Sequence, residues 1–89
     1  MLTTEQYTIL SEPRFLMPLK QASRDYCTIK HKDLLEMLVL LYGANWRKAV
    51  HGDPLTCATC RIRVLKSIYA LYREYEKLLE EQDGKLEQD

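Results

Sequence analysis

Apolar residues recur along this chain at three- and four-residue intervals, and no Val/Ile/Thr-rich stretch alternates with polar residues, so the pattern predicts an all-α protein. Thr3 followed by Gln6 has the spacing of an N-terminal capping box and opens a short helix to about Leu10. Ser11-Glu12-Pro13 restarts the chain, with Pro13 suited to a first helical turn. The second helix is expected to reach about Tyr26, with Phe15, Leu19, Ala22 and Tyr26 facing the core and Pro18 marking either a kink or the true start.

Asp33 and Glu36 have capping-box spacing ahead of a third helix, and Gly43 is a natural stop. Leu34, Leu35, Met37, Leu38, Val39, Leu40 and Leu41 occupy nearly every side of it, the pattern of the central helix of a bundle. Asn45 to Val50 is expected to add one turn, with Trp46 closing an end of the core. Asp53 as N-cap and Pro54 as first residue predict a fourth helix running to Gln82. Ile62, Leu65, Tyr69, Tyr72 and Leu79 form one of its stripes; Val64, Ile68, Leu71, Tyr75 and Leu78 form the neighbouring one. The expected architecture is a small bundle of about four helices with a long C-terminal helix, a single domain over residues 1–82, and an acidic tail over 83–89.

Both stripes together are wider than one intramolecular groove covers. The short preceding helices look too small to bury them along their length, so Leu71, Tyr72, Tyr75, Leu78 and Leu79 are expected to overhang as an apolar patch. That patch predicts self-association or docking to a protein partner.

Composition changes this picture little. The 89 residues balance 13 Lys+Arg against 13 Asp+Glu, which excludes a uniformly basic chain that coats nucleic acid. The distribution matters more: residues 74–89 hold seven acids and two bases, net −5, and residues 1–73 hold eleven bases and six acids, net +5. Met1 to Leu10 lacks the basic start and apolar run of a secretory signal. The most apolar run, Leu34 to Tyr42, is nine residues long, too short to cross ~30 Å of hydrocarbon. No membrane association is expected, and the expected compartment is cytoplasm, of a cell or of an infected host.

Chemistry concentrates in the cysteines. Three is an odd number, so no complete disulfide framework exists within one chain. Cys57-Ala-Thr-Cys60 places two thiols on one side of a helix start, where free N–H groups favour thiolate. With Cys27 and His31 they make a C-x3-H…C-x2-C set suited to structural zinc, and His51 is an alternative fourth ligand. The competing readings are buried core cysteines and a thiol redox pair, although the βαβ setting of a thioredoxin-like motif is missing. Arg47, Lys48, Arg61 and Arg63 gather near the same turn; residues 43–66 hold five Lys+Arg against one acid, a candidate nucleic-acid or anion surface. Gly43, Gly52 and Gly84 are isolated, so no phosphate loop is present, and no nucleophile–base pair is assembled, so an enzyme is not expected.

Leu40-Leu41-Tyr42-Gly43, followed by Cys57-Ala-Thr-Cys60 and a Tyr/Leu-rich helix, resembles small phage-encoded helical proteins carrying a Cys-x-x-Cys pair. The resemblance covers the second half of the chain. It implies a phage or mobile-element accessory protein, a virion component included, and no functional residue is carried across on it. The leading reading is a non-enzymatic helical interaction or assembly protein; the alternatives are a nucleic-acid-binding accessory protein and a thiol redox protein.

Overall fold

The structure is a computed structural model that describes residues 2–88, with side chains over 2–82. It is all-helical, with no strand among the described residues: α1 (Thr4–Leu10), α2 (Pro13–Ala22), α3 (His31–Tyr42), α4 (Trp46–Ala49) and α5 (Ala58–Gln88). Four of these are the expected helices, and α4 is the expected extra turn at Trp46. Helix α5 continues six residues past its expected end at Gln82, to Gln88, and the side chains of the acidic segment 83–89 lie outside the described residues. No described helix is long and apolar enough to cross a membrane.

The α1 capping box forms as the spacing predicts. Gln6 N–H donates to Thr3 Oγ1 at 3.1 Å and Thr3 N–H to Gln6 Oε1 at 2.9 Å. Gln6 Nε2 also donates to the Leu40 carbonyl at 3.1 Å, which ties α1 to one of the last carbonyls of α3. Pro13 begins α2 and the helix passes through Pro18, which is buried, so Pro18 is neither a break nor a start.

Helix α2 stops at Ala22, four residues short of the expected Tyr26. The reversal rests on Asp25, which adopts a left-handed φ of 67°, a region Asp tolerates. The Asp25 carboxylate accepts from Lys66 of α5. Gln21 Oε1 then holds the returning chain, accepting from both the N–H and the hydroxyl of Thr28. Tyr26, expected in the core, is therefore 47% exposed, whereas Phe15, Leu19 and Ala22 are buried.

Asp33 and Glu36 do not cap α3. The helix starts at His31 behind Lys30, which makes no side-chain cap. Both carboxylates instead accept from Arg14 of α2, at 3.5 Å and 2.7 Å. Nor is α3 central: Leu34, Met37 and Leu38 are buried, but Leu35 and Val39 face outward. It ends at Gly43, whose φ of 79° with ψ of −171° only glycine adopts freely.

The central element is α2, which touches α1, α3 and α5. The buried residues of α5, Val64, Leu65, Ile68 and Tyr72, come from both expected stripes, so the core follows the seam between them. One core joins that seam to Leu10, Phe15, Leu19 and Ala22 from α1 and α2, Leu34, Met37 and Leu38 from α3, and Trp46 from α4. Among the described residues, no buried side-chain polar atom lacks a hydrogen-bond partner.

Candidate functional site

The turn from Val50 to Cys57 leads into α5 and sets the geometry of the cysteine pair. Asp53 does not cap α5 as expected. Its carboxylate accepts from Leu55 N–H at 3.0 Å, and its carbonyl accepts from Thr56 and Cys57 N–H at 3.1 and 2.8 Å. That closes a separate turn over 53–57. Arg61 reaches back and takes the Pro54 carbonyl through Nε at 2.8 Å and the Leu55 carbonyl through its terminal nitrogen at 3.0 Å. With those carbonyls occupied, regular helix starts at Ala58, four residues later than the sequence pattern implies.

Cys57 consequently stands at the helix N-cap, where Ser, Thr or Asp is usual. Its sulfur accepts the Cys60 N–H at 3.2 Å, and its carbonyl accepts the Arg61 N–H at 2.9 Å. The adjacent Cys60 side chain is the main reason the Cys57 thiol is lowered, helped by the Cys60 N–H and the Arg63 charge. The Cys57 side chain in turn raises Cys60, with burial adding to it. Gly52, at φ 75°, presses its backbone on Cys60: a Cβ there would lie 2.5 Å from the sulfur. Cys60 borders a small open cleft of about 130 Å³, together with Tyr42, Val50, His51 and Arg63.

The four proposed zinc ligands do not meet. Cys27 lies between α2 and α3, where its sulfur accepts the Ile29 N–H at 3.4 Å, and His31 is exposed at the first turn of α3. Among the described residues no three His, Cys, Asp or Glu side chains converge on a point that could hold a metal ion, so His51 does not complete the set either. The Asp25–Lys66 ion pair indicates why. It docks the chain next to Cys27 about two helical turns along α5 from the Cys57/Cys60 pair.

The basic cluster is partly used internally. Arg61 holds the turn, and Arg47 lies over the Trp46 ring at 4.6 Å with the Asp53 carboxylate 3.5 Å away. Lys48 and Arg63 point outward with no ion pair among the described residues. Arg61→Ala is therefore expected to destabilise the fold by about 1–3 kcal/mol, since both carbonyls lose a charged donor. Lys48→Ala should stay within about 0.5 kcal/mol of wild type. Urea midpoints check both, and equal midpoints for the two variants would show that Arg61 is only a surface charge.

The expected overhanging strip on α5 is largely covered. Tyr72 is only 5% exposed, Leu71, Tyr75 and Leu78 are half-buried, and Leu79 is 36% exposed. Helix α1 lies on the strip. Tyr7 stacks on Tyr72 and tilts against Tyr75, each with centroids 4.8 Å apart. Hydrogen bonds join Thr4 to Tyr75 and Ser11 to Tyr72. Among the described residues, the large apolar side chain most open to solvent is elsewhere, at Met17 on α2, 60% exposed. It sits at the junction of two open clefts of about 200 and 330 Å³, one walled by Tyr26 and the other by Ile29 and Pro18. The signal was available in the sequence: two residues past Phe15, Met17 points about 200° away from the core stripe.

No protein-family model, curated protein or solved structure matches the chain.

Proposed function

We infer that the chain is a small assembly protein that binds a second copy of itself, the acidic end of α5 from one copy seating on the α2 groove of the other. The observation that carries this reading is Met17, exposed at the junction of two clefts and flanked by Lys20, Arg24 and Lys30. None of these three cations has an ion pair among the described residues. A basic-rimmed apolar groove suits an acidic helix that presents a large aliphatic side chain. The chain carries one: residues 74–82 hold four acids and one base, net −3, around Leu78 and Leu79. Exchanged reciprocally, the two contacts close a two-fold dimer.

Cytoplasm, of a cell or of an infected host, is the compartment proposed with this reading, and a phage or mobile-element context suits an assembly role. Charge exchange tests the contact. Lys20→Glu/Arg24→Glu makes groove and helix end both acidic, and Glu80→Lys/Glu81→Lys makes both basic. Each variant alone should be monomeric, its self-affinity at least about tenfold weaker, and an equimolar mixture should regain the dimer mass. A mixture that stays monomeric while wild type dimerises would place the interface on another surface.

A further inference from the structure

Five observations converge on the start of α5. The Cys57 sulfur accepts the Cys60 N–H at 3.2 Å, which holds the two thiols side by side. Both are only partly covered and neither is in a disulfide. The Gly52 backbone fixes the Cys60 side chain from behind. An open cleft flanked by His51 and Arg63 adjoins the pair. No third metal-ligating side chain joins them among the described residues. Buried structural cysteines are enclosed by apolar neighbours; these face solvent on a helix start that supplies N–H donors.

We propose that Cys57 and Cys60 form a reversible dithiol–disulfide couple that reduces small anionic disulfides, with Cys57 attacking and Cys60 resolving. The division of roles follows from geometry. Cys57 receives the Cys60 N–H at the N-cap, the position where a thiolate is stabilised, while Cys60 borders the cleft. Arg63 offers a cation to a carboxylate-bearing disulfide occupying that cleft.

In the first step the Cys57 thiolate attacks one sulfur of the disulfide. The S–S bond breaks, the leaving sulfur departs with the electron pair and takes a proton from water, and a mixed disulfide remains on Cys57. In the second step Cys60 gives its proton to water and attacks the Cys57 sulfur, expelling the second thiolate, which is then protonated. The dithiol is oxidised by two electrons to a Cys57–Cys60 disulfide, and the small disulfide is reduced to two thiols. A disulfide needs Cβ atoms roughly 3.8 Å apart, so Cys57 must close onto Cys60 across the start of α5.

The experiment uses the full chain carrying Cys27→Ser, with oxidised glutathione as the probe and intact mass as the readout. This protein should lose two hydrogens and carry no glutathione at the end point. Adding Cys60→Ser should stop the reaction at one glutathione on Cys57. Adding Cys57→Ser instead should slow adduct formation by about tenfold or more. Circular dichroism of each variant confirms that it is folded. A stable glutathione adduct on the Cys27→Ser protein, or equal rates for the two double variants, would overturn the proposal. So would zinc bound to the purified protein and released only when both thiols are modified.

Discussion

Phe15→Ala is expected to remove about 3–5 kcal/mol of stability, the cost of truncating a fully enclosed aromatic ring. Phe15 is 1% exposed and belongs to the core where α2 lies on α5. A domain of this length has a total stability of only about 5–13 kcal/mol. The variant should therefore be marginal at room temperature, with a urea midpoint far below wild type. Met17→Ala, on the opposite face of the same helix, should leave the midpoint within about 0.5 kcal/mol. Similar losses at the two positions would mean that α2 is not seated on the face described.

Tyr7→Ala is expected to cost about 2–3 kcal/mol, less than Phe15 because Tyr7 is only half-buried. A seven-residue helix is not stable alone, so α1 depends on its contacts with α5. Removing the ring takes away both stacking partners, and hydrogen exchange should accelerate throughout α1 before the rest of the chain responds. Tyr7→Phe keeps the stack and should be much milder. Burial, then the Tyr72 hydroxyl and the charges of Glu76 and Glu80, push the Tyr7 phenol up to about 12 from its ordinary value of 10.0. The unfolded chain loses that proton first. The contribution of Tyr7 is thus fully present below pH 10 and fades as pH climbs toward 12, which a stability profile over that range would follow in wild type and not in Tyr7→Phe.

What the sequence made legible was local chemistry. The Thr3/Gln6 capping box, the Pro13 helix start, the Phe15–Leu19–Ala22 face and the Gly43 stop each depend on residues within a few positions of one another. The long C-terminal helix was equally plain from its sustained period. The differences arise where distant residues intervene. Lys66 and Gln21 fix the reversal after Ala22, so Tyr26 leaves the core. Arg61 reaches back to carbonyls that would have continued a helix from Pro54, so α5 starts later. Asp33 and Glu36 look like caps until Arg14, on another helix, claims them.

The candidate site was legible in its parts and not in its assembly. Cys57 and Cys60 are adjacent because they stand three positions apart across the start of one helix, and no tertiary information was needed. Joining them to Cys27 and His31 required knowing where the end of α2 docks along α5, which the Asp25–Lys66 pair decides. The apolar strip on α5 was expected to be wider than the chain's own short helices could cover. Its cover was missed because two turns of α1 are too short for Tyr7 to display a periodic face.

The most direct measurement of the assembly role is sedimentation of wild type and Met17→Glu over a range of concentrations. A monomer has a mass of 10.5 kDa. Wild type should approach twice that by about 10⁻⁴ M and fall back to monomer as salt screens the charged rim, while Met17→Glu, equally folded, stays monomeric throughout. A wild type that remains monomeric at millimolar concentration and low salt, or a Met17→Glu protein that dimerises as well as wild type, would contradict it.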